Sequence, residues 1–123
     1  MSKFNKFEDI LAWKKARELN NVLFEIASNG KFRSDFSLRD PMLRAVNSVM
    51  LNIAEGFGRR SNKEFIQFLV TAHDSASEVQ SAIYIALDRK YIGKEIFTNI
   101  YNSCEEISKM IMGLIKYLKQ NQT

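Results

Sequence analysis

Between Phe65 and Ala86 the apolar residues recur at alternating steps of four and three: Phe65, Leu69, Ala72, Ala76, Val79, Ile83 and Ala86. An α-helix, with its 3.6 residues per turn, brings such positions onto one face, so this segment reads as one long helix with a continuous buried seam. The same rhythm returns in Phe97, Ile100, Cys104, Ile107, Ile111, Leu114 and Leu118. It is the spacing of helices that cross at about 20° in a left-handed bundle. Breakers are scarce, with 1 proline and 5 glycines in 123 residues, so long helices are allowed.

Two earlier segments follow the rule. From roughly Lys6 to Ser28, Ala12, Ala16, Leu19, Leu23 and Ile26 share a face, extended by Phe7, Ile10 and Leu11. Asn29-Gly30 is a stop, because both residues tolerate a left-handed backbone, and 31–36 reads as a loop. The second helix starts near Ser37 or Asp40, with Pro41 in its first turn, and buries Met42, Val46, Val49 and Ile53. Gly56 and Gly58 end it, and Ser61 with Glu64 forms a capping box for the third helix. Tyr91-Ile92-Gly93 is the next break. Short connections force antiparallel neighbours, so the expected fold is all-α: a single up-down-up-down antiparallel four-helix bundle over 1–123, with loose ends at about 1–5 and 120–123. A second apolar group on the third helix, Ile66, Phe68, Val70 and Ile85, asks for a further neighbour.

A polar stripe accompanies the seam. Arg44, Ser48, Asn52 and Glu55 step along the second helix, and Gln67, Thr71, Ser75 and Glu78 along the third. Folding the chain back near Ser61 sets Arg44 level with Glu78, Ser48 with Ser75, Asn52 with Thr71 or Val70, and Glu55 with Gln67. The register holds to one turn, about 5 Å. The stripe is either a solvated groove or a partly buried network at a helix or subunit interface, where it sets packing specificity.

Composition bounds the rest. Apolar residues at 46% and charged residues at 26% exclude a disordered chain. The net charge of +4 permits a polyanionic partner. One cysteine excludes an internal disulfide and fits a reducing cytoplasm. No charge-free stretch has the length of a membrane span, so no membrane partner is expected.

The stretch LRDPMLRAVNSVMLNIAEGFGRRSNKEFIQFLVTAHDSASEVQSA resembles the signature of a bacterial family. Its members are four-helix bundle proteins encoded in intervening sequences of 23S ribosomal RNA genes, often labelled S23 ribosomal protein. The opening FEDILAWKKARELNNVLFEI is similar to the family's first helix. Lys14 and Asp40-Pro41 depart from the pattern, where Gln is common. The resemblance implies assembly as a homopentameric ring. It also implies kinship in fold with the accessory variability determinants of retroelements, which bind nucleic acid and a reverse transcriptase.

No catalytic constellation is visible. His73 and Cys104 fall about 10 Å apart along the bundle axis, and Glu55 and Glu78 about 16 Å, too far for a nucleophile with its base or a paired acid and base. Cys104 sits on the apolar seam as a small core residue, and no Glu-x-x-His spacing supports a metal. No cofactor is expected. An enzyme would need a pocket joining Glu55, Arg44 and His73 across subunits.

Basic residues cluster instead. Arg59, Arg60 and Lys63 lie at the turn between helices two and three; Lys14, Lys15 and Arg17 form a second group. Arg89, Lys90 and Lys94 form a third, and Lys31 and Arg33 a fourth. Arginine forks onto phosphate, and a ring repeats each cluster around a rim, so weak contacts add. The expected function is a non-catalytic oligomer that binds nucleic acid, RNA in particular, through basic rims. The alternative is an adaptor that docks a protein such as a nucleic-acid enzyme, with Trp13 and other exposed apolar groups as its contacts.

Overall fold

The computed structural model describes residues 4–121. A short 3-10 turn, Phe7–Asp9, precedes α1 (Leu11–Ala27), α2 (Gly30–Ser34), α3 (Phe36–Phe57), α4 (Asn62–Asp88) and α5 (Lys94–Gln120). The four long helices form an antiparallel all-α bundle. α1 packs between α3 and α5, and α4 closes the other side between the same two. The seams read from the sequence face inward: Ala12, Ala16, Leu19 and Leu23; Met42, Val46, Val49 and Ile53; Leu69, Ala72, Ala76, Val79 and Ile83; Ile100, Cys104, Ile107 and Ile111.

Several ends differ from expectation. The first helix starts at Leu11 because Asp9 accepts hydrogen bonds from the Asn5 and Lys6 N–H groups, 3.1 and 3.3 Å, and Ile10 is extended. The expected loose ends fall largely on 1–3 and 122–123, outside the described residues; Phe4 already packs on the core. Gly30 takes the left-handed backbone, φ +60, but Asn29 is extended. Residues 31–34, expected as part of a loop, wind with Gly30 into α2 around the buried Phe32. α3 begins at Phe36, earlier than expected, because Asp35 is its cap and accepts from the Leu38 N–H at 3.3 Å. Pro41 therefore lies inside the helix.

One glycine reading is corrected. α3 runs through Gly56 to Phe57, and Gly56 is buried against α4. A Cβ there would lie 2.7 Å from the Phe68 Cβ, so the hydrogen of glycine is what lets the two helices approach. The break at Tyr91-Ile92-Gly93 falls between α4 and α5 as read, and Lys90 at that corner is left-handed, φ 63. Its N–H bonds to the Leu87 carbonyl and that of Tyr91 to the Ala86 carbonyl, a Schellman ending built without glycine. Ser61 caps α4 as read, accepting from the Glu64 N–H at 3.1 Å.

Asp35 also locks one end of the bundle. Its carboxylate accepts from Arg89 Nη1 at 2.5 Å, Tyr91 Oη at 2.7 Å and Ser37 Oγ at 2.9 Å. The Tyr91 ring stacks on Phe32 at 5.2 Å. Two connections, the one that runs through α2 into α3 and the one after α4, are thus tied at one carboxylate.

Candidate nucleic-acid interface

The α3–α4 corner carries Arg59, Arg60 and Lys63, but they do not act alike. Arg59 turns back onto its own helix. Its Nη2 donates to Glu55 Oε2 at 2.6 Å, and its guanidinium lies 4.6 Å from the Phe68 ring centroid. Arg60 and Lys63 are exposed and make no ion pair among the described residues.

The fold adds two cations that the sequence reading left out. Asn62 Nδ2 donates to the Asn121 carbonyl at 2.8 Å, which fixes the end of α5 beside the start of α4. Lys116 and Lys119, both exposed on the last turns of α5, therefore join Arg60 and Lys63 at one end of the bundle. Counting back antiparallel from Ile92 was the signal available, since it sets Lys63 level with Asn121.

The second basic group divides. Lys15 turns to Glu106 Oε1 on α5 at 3.8 Å, whereas Arg17 lies 6.0 Å from the Trp13 ring centroid. Lys14 stays exposed, and Glu8 and Glu18 line the same shallow depression. Successive residues point about 100° apart on a helix, so these three do not make one patch. In the third group Arg89 belongs to Asp35, leaving Lys90 and Lys94 exposed. Lys31 and Arg33 are exposed on α2.

The polar stripe forms in part. Ser48 Oγ and Ser75 Oγ meet at 2.8 Å, and Asn52 Nδ2 donates to the Ser48 carbonyl and hydroxyl at 2.8 and 2.9 Å. The charged rung does not form: Arg44 and Glu78 are exposed and unpaired among the described residues. Long charged side chains in water gain little from a fixed pair. Glu55 takes Arg59 rather than Gln67, and Thr71 bonds within its helix to the Gln67 carbonyl at 3.3 Å.

Burial pushes the Cys104 thiol up to about 12, with the Glu105 carboxylate adding to the shift. His73 is half-exposed, its Nδ1 4.0 Å from the Asp74 carboxylate beside it in sequence. Asp35, missed by sequence reasoning, is held down at about 2, chiefly by the Tyr91 hydroxyl and also by Ser37 and Arg89. Among the described residues no group of three or more His, Cys, Asp or Glu is placed to hold a metal. None of the described helices is long and apolar enough to cross a membrane.

These features define an all-α antiparallel bundle with basic ends. The chain belongs to the 23S rRNA-intervening sequence protein family, whose model matches residues 8–113. Its fold is similar to the crystal structure of a protein of unknown function from the S23 ribosomal protein family of Bacteroides thetaiotaomicron. The TM-score is 0.79 at 25% identity, covering 86% of this chain and 99% of that one. No curated protein matches the chain.

Proposed function

We propose that this protein is a non-catalytic bundle that binds nucleic acid, RNA in particular, through its basic end, and that it works as a homo-oligomer. The observation that carries the reading is the gathering of Arg60, Lys63, Lys116 and Lys119 beside the Asn62–Asn121 bond, with no ion pair among the described residues. Unpaired cations are free to replace condensed counterions on phosphate. The family's name, which ties it to sequences within 23S rRNA, accords with an RNA partner. A ring of copies, five in the assembly that the family resemblance implies, multiplies a modest patch into a strong one.

The test is a titration against structured RNA and duplex DNA at several salt concentrations, with solution mass followed by light scattering. Binding should fall steeply with salt. Arg60→Glu with Lys63→Glu should lower the slope of log K against log salt by about 1.4 for each copy engaged on a single strand, from two lost phosphate contacts. Arg59→Glu should matter less, because Arg59 is already held by Glu55. No binding at low salt refutes the reading.

A second reading has its own observation. Phe24, Phe36 and Leu51 are each at least 60% exposed on α1 and α3, and exposed apolar side chains of this size are available to a protein contact. An adaptor of this kind would retain one host protein after nuclease treatment and lose it on Phe24→Ser.

A further inference from the structure

The seam between α4 and α5 is closed by Ile83, Ala86, Ile100 and Cys104, all buried. At its edge sit three rings, of which Phe97 also packs on the core. Tyr84 of α4 lies 4.7 Å from Phe97 and 6.0 Å from Tyr101 of α5, centroid to centroid, and the latter two are 5.8 Å apart. Tyr84 is 49% exposed. The Tyr84 and Tyr101 hydroxyls make no hydrogen bond among the described residues. Each ring is held by the other two, so ordering them for a ligand costs little further entropy.

Two lysines stand near the rings. Lys94 precedes Phe97 by three residues and Tyr101 by seven, so it shares their face of α5. Lys90 is exposed at the left-handed corner between the helices. Neither lysine is ion-paired among the described residues. Of the nearby acids, Glu105 is engaged by Gln80 Nε2 at 3.0 Å, which also donates to the Tyr101 carbonyl at 3.3 Å. The others are Asp88, on the last turn of α4, and Glu95, on the first turn of α5. An aliphatic face would serve apolar protein side chains equally well. Rings flanked by free ammonium groups match a base with its phosphate.

We propose that the Tyr84–Phe97–Tyr101 shelf stacks nucleobases of single-stranded RNA, with Lys90 and Lys94 on the adjoining phosphates. This rests on the nucleic-acid reading above and adds the strand form and the place of the bases. The shelf lies about 32 Å along α4 from Lys63, so the two sites can be removed separately.

The experiment compares a labelled oligoadenylate with an RNA duplex by fluorescence anisotropy across salt concentrations. It uses the wild type, Tyr84→Ala, Tyr84→Phe, and Arg60→Glu with Lys63→Glu, each checked for helicity and solution mass. Loss of one stacked base weakens oligoadenylate binding by roughly 5- to 150-fold. Tyr84→Ala is expected to show this loss with an unchanged salt slope and unchanged duplex binding, and Tyr84→Phe to retain wild-type affinity. If Tyr84→Ala binds oligoadenylate like the wild type while the charge variant weakens both ligands, the shelf is refuted and the basic-end reading stands. If the wild type binds neither RNA at low salt, both fall. If Tyr84→Ala lowers the solution mass, the shelf is a contact between copies and the proposal is overturned.

Discussion

Replacing glycine by alanine inside a helix ordinarily stabilises it by about 1 kcal/mol, since alanine loses less backbone entropy on folding. Gly56 and Gly113 both lie within long helices, so propensity alone treats them alike. Their surroundings do not. At Gly113 nothing lies within 4 Å of an added Cβ. At Gly56 the Cβ would stand 2.7 Å from Phe68 Cβ, 2.9 Å from Phe65 Cδ1 and 3.3 Å from the Phe65 carbonyl oxygen. Carbon atoms pack at about 3.5–4.0 Å, so relief needs a shift of about 1 Å. Phe68 Cβ is bonded to the α4 backbone and cannot swing aside, so the shift must move one helix from the other. Overpacking of this kind costs about 3 kcal/mol at its upper range, against about 1 gained, a net loss of about 2. For a domain of this size that is a fall in Tm of about 8 °C, whereas Gly113→Ala should raise Tm by about 4 °C. Thermal and urea unfolding followed by far-UV circular dichroism, at one protein concentration, read both. A Gly56→Ala variant as stable as Gly113→Ala would refute the close-approach account of the α3–α4 corner.

Other consequences follow from single groups. The Asp35 carboxyl ionises at about 2 in the folded chain, below its ordinary 3.8, so its contribution is complete above the ordinary value and is lost as pH falls toward the folded one. Asp35→Asn should therefore lower stability at neutral pH and flatten the acid limb of the stability profile; an unchanged limb would rule out the lock. Ser75→Ala leaves the Ser48 hydroxyl with one partner fewer and should cost about 1 kcal/mol, whereas Ser48→Ala with Ser75→Ala should cost less than the sum of the two single changes. Strict additivity in urea unfolding would show that the pair does not interact. The Cys104 thiol, raised to about 12 by burial, should resist a thiol reagent at mildly alkaline pH until the bundle unfolds; prompt labelling of the native protein would contradict its burial.

The apolar seams were legible because burial leaves a periodic record along one chain. The match of Ser48 with Ser75 was legible for a related reason: two helices folded back on a short turn have little freedom in register. Helix ends were harder. Several residues before α3 can accept a backbone N–H, and the choice of Asp35 was made by Arg89 and Tyr91, more than fifty residues away. Phe32 marked the same end, an aromatic inside an otherwise polar stretch, but its burial depends on Tyr91 stacking over it.

Surface chemistry was the least legible because its geometry is set by rotamers and by distant neighbours. Arg59, Arg60 and Lys63 look equivalent in sequence, yet Glu55 and Phe68 occupy the first. Lys116 and Lys119 look like ordinary lysines at the end of a helix until Asn62 brings them beside the α4 start. The paired cation is thus worth least for phosphate binding, and the useful ones are those that the fold leaves without an acid. Because each copy offers only a few such cations, affinity for a polyanion must grow with the number of copies that engage it. On the oligomeric RNA-binding reading proposed above, a variant that is monomeric but folded should therefore lose most of its RNA affinity with every basic residue intact. Equal affinity for monomer and oligomer would show instead that one copy carries a complete site.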